Sequence, residues 1–269
     1  MTHVQTDKRG YVFDNHSPHS GEQHRCLAEA LDPITTERLA ATGVTAGWHC
    51  LDVGCGGGTI SRWLANRVGP TGSVLATDVK PVDVVGHPNM TTAQHDITAD
   101  PLPENHFDLI VARLVLQHLP ERDEVLAKLV RALKPGGWLQ IDEFDTSYEP
   151  VLLAPDEEGE RVYEKFLAAK TELMRRNGGD PTWGRQVARA MRAAGLVDID
   201  PRPSIRSRHA GSADLGLQLH HTHQLWDRLQ SAGMTSDELH AVQAVMRDPS
   251  FRASSSVIYS VQGRKERRR

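Results

Sequence analysis

Short apolar segments alternate with amphipathic segments through the middle of the chain. Runs rich in apolar and β-branched residues cover positions 48–53, 73–78, 90–96, 107–113 and 137–144, and apolar residues at helical spacing occupy 60–68 and 122–133. This alternation is typical of right-handed βαβ units, whose strands form a parallel sheet. Positions 196–205 and 255–261 have the pattern of two further strands, so the sequence predicts an α/β fold with seven strands.

Helical segments are predicted on both sides of this alternation. Asp32 and Pro33 have the residue types of an N-cap and a first helical position, and Gly43 is a typical C-terminal stop. Apolar stripes predict helices at 156–176, 184–194 and 214–231, and the capping-box spacing from Thr235 begins another that ends before Pro249. We therefore predict a single domain over 1–269, with an N-terminal helical cap at 1–45 and a core at 46–145. The part at 146–269 is expected to complete the sheet and to supply lid helices at about 156–176 and 214–248.

The composition is that of an ordinary globular protein. The chain has 269 residues, of which 39% are hydrophobic and 25% charged. No run approaches the ~18 consecutive apolar residues of a membrane span, and the first residues lack the apolar segment of a signal peptide. We expect a cytoplasmic protein without a membrane partner, whose cysteines Cys26, Cys50 and Cys55 stay reduced because none forms a CxxC pair.

The charge balance argues against a nucleic-acid partner. The formal net charge is −4, and the basic end Arg264-Lys265-Glu266-Arg267-Arg268-Arg269, which we expect to be a solvated tail, makes the remainder more acidic still. The chain also lacks an Asn/Asp-Pro-Pro-Tyr/Phe motif after the fourth strand, where it has Ala112-Arg113-Leu114-Val115. A small, partly apolar metabolite is therefore the expected partner, for a monomer or a homodimer.

The most informative local motif is a strand that runs into a glycine-rich turn and then a helix. Gly54, Gly56 and Gly58 form this turn, and an acidic residue, Asp78, ends the next strand twenty residues later. Open α/β sheets bind ligands at such a turn, and the acidic residue can accept both hydrogens of a ribose diol. A dinucleotide fingerprint would require a third glycine where Thr59 stands, and Asp52 before the turn suits a cationic ligand better than a pyrophosphate.

Taken together, the motifs resemble those of the class I S-adenosylmethionine-dependent methyltransferases. The resemblance covers about residues 47–145, and the N-terminal flank looks like a bacterial small-molecule branch related to the ubiquinone/menaquinone methyltransferases. It implies a Rossmann-like, doubly wound, mostly parallel seven-stranded sheet with an antiparallel last strand, and S-adenosylmethionine as the cofactor. The matching segments are Asp52-Val53-Gly54-Cys55-Gly56-Gly57-Gly58, Asp78, His95-Asp96-Ile97, Phe107-Asp108-Leu109-Ile110-Val111 and Leu133-Lys134-Pro135-Gly136-Gly137.

The resemblance also implies roles for individual residues. The turn of Gly54, Cys55 and Gly56 would lie under the methionine part of the cofactor, with Asp52 near its ammonium group. Asp78 would hold the ribose hydroxyls and Asp96 the adenine amino group, while Val79 and Ile97 would cover the two faces of the adenine. The remaining cofactor contacts would come from Arg113, from His118 near the sulfonium, and from Arg25 and Tyr11 in the N-terminal part.

Methyl transfer from a sulfonium is an in-line displacement, so the protein must mainly align the reacting atoms and exclude water. A base is needed only if the acceptor keeps its proton. His118 and Glu143 are the predicted catalytic residues, since Glu143 stands at the carboxyl end of the fifth strand, where the acceptor is expected. The alternatives are that His118 packs on the sheet at a helix start and that Glu143 only caps a loop.

The cluster His220-His221-Thr222-His223 suggests a metal site at first sight. On a helical wheel, however, His221 and His223 border the apolar stripe on opposite sides and His220 points away, so the three side chains do not converge. We therefore predict no metal, and assign His221 and His223 to the substrate pocket or, alternatively, to the surface.

Four aromatic residues are predicted to line the same pocket, with ordinary core packing as the alternative: Tyr148, Tyr163, Phe166 and Trp183. The favoured function is a methyltransferase that acts on a small secondary or specialised metabolite in a lidded pocket. Two other functions stay open at this point. One is a nicotinamide-dependent oxidoreductase, and the other is a protein that binds S-adenosylmethionine without transferring its methyl group, as a cyclase or a structural protein.

Overall fold

The computed structural model describes residues 20–80 and 86–267, so Tyr11 and part of the N-terminal cap lie outside the described residues. The strands are β1 His49–Val53, β2 Ser73–Asp78, β3 Met90–Gln94, β4 Phe107–Arg113, β5 Leu133–Asp145, β6 Val151–Leu153, β7 Leu196–Ser204, β8 Ser207–His209, β9 Arg252–Ser254 and β10 Val257–Lys265. The α-helices are α1 Ser20–Ala41, α2 Thr59–Val68, α3 Arg122–Ala132, α4 Glu157–Arg176, α5 Val187–Ala193, α6 Ala213–Gln224, α7 Trp226–Ser231 and α8 Ser236–Arg247. Short 3₁₀ helices cover Leu116–His118 and Trp183–Gln186.

Seven strands form the main sheet in the order β3-β2-β1-β4-β5-β10-β7. The pairs among β1 to β5 are parallel, and β10 runs antiparallel to both β5 and β7. This confirms the predicted mostly parallel seven-stranded sheet with an antiparallel last strand. Because β1 to β5 are parallel, the residues that follow them meet along one edge of the sheet.

Helices cover both faces of the sheet because successive side chains of a strand point to opposite sides. On β4, Leu109 and Val111 pack with α2 and the end of α1, whereas Ile110 and Ala112 pack with α3 and α5. The strand is therefore apolar on both sides, as expected for a strand buried between two helical layers.

A second apolar cluster lies outside the sheet and holds the lid helices together. It joins α4, α6, α7 and α8, with buried members that include Phe166, Leu229, Leu239 and Phe251. The small sheet β6-β9-β8 packs beside them, and its three short strands were not predicted from the sequence. In the described part of the chain, none of the helices has the length and apolarity that crossing a bilayer would take.

Three local predictions were wrong. Helix α1 does not begin at Asp32 but continues through Pro33, because the Asp32 carboxylate bonds outward to Thr59 and Arg113 instead of capping its own helix. The helix predicted over 214–231 divides at Leu225 into α6 and α7.

The third error concerns the basic end, which is not entirely a solvated tail. Arg264 and Lys265 belong to β10 and pair with β7. The Lys265 Nζ donates to the Leu133 carbonyl at 2.7 Å, and the Arg264 guanidinium stacks on Trp138 at 5.4 Å from the ring centroid. Because their backbone pairs with β7 in the sheet, Arg264 and Lys265 belong to the folded domain and not to a solvated tail.

Candidate functional site

A cavity of about 880 Å³ lies between the carboxyl edge of the parallel strands and the lid helices. One end is formed by the turns that follow β1, β2 and β3, and the other by side chains of α4, α6 and α7. The first turns of α1 cover it. The residues that line it are Gln23, His24, Leu27, Val53, Gly54, Cys55, Gly56, Gly57, Thr59, Asp78, Val79, Lys80, Gln94, His95, Asp96, Ile97, Thr98, Arg113, Leu114, Val115, Gln117, His118, Leu119, Phe144, Thr146, Lys170, Met174, Leu217, Gln218, His221, Leu225, Arg228 and Ser256.

The glycine turn after β1 needs its glycines for two physical reasons. Gly54 has φ of +67°, a conformation that side chains disfavour, and a Cβ there would stand only 2.5 Å from Val115 Cγ2. Gly56 also has positive φ, and its backbone N–H donates to Asp78 Oδ2 at 3.1 Å. The turn therefore brings bare backbone to the cavity wall, where a ligand can approach it closely.

Two carboxylates follow the neighbouring strands and line the same end of the cavity. Asp78 accepts hydrogen bonds from the Gly56 and Lys80 backbone N–H groups, one on each oxygen. Asp96 Oδ1 accepts from the Thr98 N–H at 3.0 Å and from its hydroxyl at 2.6 Å. These bonds hold both carboxylates in place on the cavity wall, and a carboxylate is a group that can accept from a ligand hydroxyl or amino group. Apolar contacts for a flat ring are offered by Val79 and Ile97, which line the cavity near them.

Asp52 and Arg25, two of the predicted cofactor residues, do not line the cavity. The Asp52 carboxylate lies behind the glycine turn and accepts from Ser61 Oγ at 2.5 Å, and burial raises its pKa to about 6. Arg25 is exposed on α1 and pairs with Glu22 and Glu29. Arg113 does line the cavity, and its ion pair with Asp32 at 2.8 Å ties the end of β4 to α1.

Helix α1 covers the glycine turn with residues that the sequence analysis missed. Gln23, His24 and Leu27 line the cavity, and a Cβ on Gly57 would come within 3.2 Å of the His24 Cβ. Burial lowers the pKa of His24, which is therefore neutral near pH 7. Their spacing along one helical face was the available signal, but it does not say which face turns toward the sheet.

His118 and Gln117 line the cavity at the carboxyl edge of β4 and β5. Gln117 Oε1 accepts from the Phe144 N–H, so its Nε2 is the group that donates to His118 Nε2 at 3.2 Å. Burial and the nearby Arg122 charge lower the pKa of His118 to about 4. The imidazole is thus neutral near pH 7, with Nε2 as its acceptor nitrogen.

Glu143 does not reach the cavity lining. The side chain is fully buried, and its Oε1 accepts from the backbone N–H groups of Val115, Leu116 and Gln117 at 3.2, 2.7 and 3.3 Å. Burial raises the pKa of Glu143 to about 8. Its other oxygen, Oε2, has no hydrogen-bond partner among the described residues. The geometry favours the alternative reading, a carboxyl that holds the loop carrying Gln117 and His118.

The predicted substrate residues separate into two groups. His221 is buried and lines the cavity, whereas His223 is exposed on the other side of α6. Tyr163, Phe166 and Trp183 are packed in the apolar clusters behind the cavity wall, and Tyr148 is exposed. The polar lining at this end comes instead from residues that were not predicted: Gln117, Thr146, Lys170, Gln218, Arg228 and Ser256. Within residues 20–80 and 86–267, no three His, Cys, Asp or Glu side chains are grouped as metal ligands.

Comparisons with known proteins agree with this geometry. Residues 51–141 match the family model described as "Methyltransferase domain". The ubiquinone/menaquinone biosynthesis C-methyltransferase UbiE of Pseudomonas aeruginosa is 34% identical over 116 residues, which cover 39% of this chain and 45% of that protein. The chain thus spans about half the length of the curated relatives it matches.

Solved structures with a similar fold cover most of the chain. Phosphoethanolamine N-methyltransferase 2 of Haemonchus contortus, in complex with phosphomonomethylethanolamine and S-adenosylhomocysteine, has a TM-score of 0.54 at 15% identity and covers 88% of this chain and 53% of its own. The YcgJ protein of Bacillus subtilis has a TM-score of 0.56 at 15% identity and covers 91% of this chain and 100% of its own. At these identities the likeness concerns the fold alone.

Proposed function

We propose that this chain is a class I S-adenosylmethionine-dependent methyltransferase of the ubiquinone/menaquinone-methyltransferase-like type, and that it methylates a small molecule held in the lidded cavity. The match to the methyltransferase family over residues 51–141 and the similarity to UbiE support the first part. One observation carries the proposal. The glycine turn and the two carboxylates Asp78 and Asp96 line one end of a single cavity, whose other end lies under the lid helices.

The residues at the first end fit S-adenosylmethionine, which when bound supplies an electrophilic methyl group on a sulfonium. Asp78 would accept from the ribose hydroxyls and Asp96 from the adenine amino group, while Val79 and Ile97 would cover the ring. The turn of Gly54, Cys55 and Gly56 would support the methionine part, and Arg113 would border it. His24 and Gln23 on α1 would close this end against water.

The cavity size favours a metabolite as the acceptor. About 880 Å³ has to hold both the cofactor and the acceptor, which lies within the usual range of small-molecule pockets. The formal net charge of −4 also gives no general attraction for a nucleic acid. The helices α4, α6 and α7 cover the acceptor end and would exclude water during transfer.

His118 is poorly suited to act as a general base in this proposal. Its neutral imidazole lies on the cavity wall, but its acceptor nitrogen is engaged by Gln117 and its pKa is about 4. It is therefore a weak base, suited to an acceptor that has already lost its proton. Glu143 takes the part of a positioning residue, since its Oε1 holds the loop on which His118 lies.

The cofactor assignment is tested by calorimetric titration of S-adenosylhomocysteine into the wild type, Asp78→Ala and Asp96→Ala. Loss of a buried, charge-assisted hydrogen bond predicts affinity about ten- to a hundredfold weaker in each variant. Asp227→Ala, an exposed position on α7, is the matched control. Unchanged affinity in both variants, or no binding to the wild type, would refute the assignment.

The transfer itself is tested by an acceptor screen with labelled methyl donor and mass spectrometry of the products. A methyltransferase produces an acceptor that is one methyl group heavier, whereas a cyclase converts its substrate without a change of mass. Cofactor binding without any labelled product, together with a mass-neutral conversion, would replace the proposed transfer with a cyclisation.

A further inference from the structure

The acceptor end of the cavity contains an ammonium group with little to neutralise it. Lys170 on α4 lines the cavity among Met174, Leu217 and the buried Phe166, whose ring centroid is 5.4 Å from Lys170 Nζ. Among the described residues, its only hydrogen-bond partner is the neutral side-chain oxygen of Gln218. Burial lowers the pKa of Lys170 to about 8, so it remains largely protonated near pH 7.

The carboxylate whose charge acts on Lys170, that of Glu149, is already engaged by another cation. Glu149 forms an ion pair of 2.7 Å with Arg208, whose side chain is 2% exposed, and also accepts from the Ser256 hydroxyl. Although burial raises it, the charges of Arg208 and, more weakly, Lys170 hold the pKa of Glu149 below its usual value. A second pair, Arg206 with Asp214 at 2.7 Å, is likewise complete. Among the described residues, the two ion pairs and Lys170 together therefore carry one excess positive charge, that of Lys170.

The other ionisable groups that the structure describes at this end do not offset that charge. His221 is neutral, because burial and the neighbouring Lys170 and Arg208 charges hold its pKa well below its usual value. Arg228 adds a further cation to the lining. Asp78 and Asp96 are the carboxylates among the described lining residues, and both lie at the cofactor end.

We infer that the acceptor carries an anionic oxygen, a carboxylate or an ionised phenol, which binds the Lys170 ammonium at the lid end of the cavity. An ammonium has three N–H donors, and within residues 20–80 and 86–267 only Gln218 takes one of them, which leaves two to bind an oxygen anion. A desolvated charge is costly unless it is paired, and an anionic ligand supplies that pair. The inference rests on the proposed function, because it names the chemical class of the acceptor of that same site.

The test compares anionic probes with their neutral counterparts on three proteins. Benzoate is paired with benzamide, and para-nitrophenol with para-nitroanisole, near neutral pH, where benzoate is fully ionised, para-nitrophenol is about half ionised and the Lys170 ammonium is retained. Each is titrated into the wild type, Lys170→Met and Lys165→Met, with and without saturating S-adenosylhomocysteine. Lys165 lies on the same helix but pairs with Glu238 and does not line the cavity, so its variant is the matched control.

We expect the wild type and Lys165→Met to bind at least one anion about tenfold more tightly than its neutral counterpart. Lys170→Met should lose that preference while keeping its melting temperature and its affinity for S-adenosylhomocysteine. The probe pair that shows the preference identifies the source of the anionic oxygen. Equal binding of anion and neutral probe in the wild type, or a preference that survives in Lys170→Met, overturns the inference.

The two proposals fail separately in this design. If S-adenosylhomocysteine binds the wild type but neither anion is preferred, the inference about the acceptor is wrong and the cofactor assignment stands. If S-adenosylhomocysteine does not bind while the Lys170-dependent preference persists, the methyltransferase proposal is wrong and the anion site stands.

Discussion

Glu143 offers the sharpest link between the structure and a measurable property. Its carboxyl is fully buried, with one oxygen held by three backbone N–H groups and the other without a partner among the described residues. Glu143→Gln keeps an oxygen that can accept the same N–H groups but removes the titration. The substitution therefore isolates the effect of the raised pKa on the stability of the fold.

The size of the effect follows from proton linkage. Burial raises the pKa of Glu143 from 4.5 to about 8, and each pKa unit corresponds to about 1.4 kcal/mol. Below pH 4.5 the carboxyl is protonated in both the folded and the unfolded chain. As the pH rises toward 8, only the unfolded chain releases the proton, so the folded chain loses stability across that window. Between about pH 5 and pH 8 the wild type should lose roughly 3 to 4 kcal/mol relative to Glu143→Gln.

Urea unfolding followed by circular dichroism at a series of pH values measures this difference directly. The free energy of unfolding of the wild type should fall relative to that of Glu143→Gln as the pH rises, because the variant lacks the titrating group. Glu124→Gln on α3, where the side chain is exposed, is the control and should run parallel to the wild type. If Glu143→Gln also ran parallel to the wild type, the assignment of a raised pKa to Glu143 would be refuted.

Two further substitutions probe the walls of the cavity. Gly54→Ala should destabilise the fold by about 2 to 4 kcal/mol, since its methyl group would lie 2.5 Å from Val115 Cγ2 at a positive φ; Gly21→Ala, in open space on α1, should leave the melting temperature equal or higher. An unchanged melting temperature for Gly54→Ala would contradict the close packing of the turn. Arg208→Met should cost about 3 to 5 kcal/mol in chemical denaturation because it strands the buried Glu149, and the double variant with Glu149→Leu should recover most of that loss. If Glu149→Leu did not restore stability, the loss of the Arg208–Glu149 ion pair would not be the cause of the destabilisation by Arg208→Met.

Much of the fold was accessible from the sequence because its signals are local. Strand and helix periodicity repeats within a few residues, and a strand buried on both faces, such as β4, is apolar throughout. The turn of Gly54 and Gly56 and the acidic residue Asp78 could be placed for the same reason, whereas Asp96 was placed by the resemblance to the methyltransferases. All of them lie at or just after the ends of parallel strands, which must meet at one edge.

Local signals failed where a side chain had a choice of partners. Asp32 has the residue type of an N-cap, but its carboxylate bonds to Thr59 and Arg113, which are distant in sequence. Glu143 stands at the expected edge of the sheet, yet three N–H groups of the neighbouring loop turn it inward. Which of several donors a carboxylate meets is a matter of tertiary contacts.

The sequence by itself therefore predicted the alternating strands and helices, the glycine turn and Asp78, since these follow from periodicity and strand-end position, and the resemblance to the methyltransferases added the antiparallel last strand and Asp96. Only the tertiary structure decided what closes the cavity: His24 instead of Arg25 on α1, and Lys170 instead of Tyr163 or Phe166 on α4. These residues are near neighbours on the same helices. The rotation of each helix against the sheet and the lid cluster, which depends on contacts across the whole chain, selects which of them face the ligand.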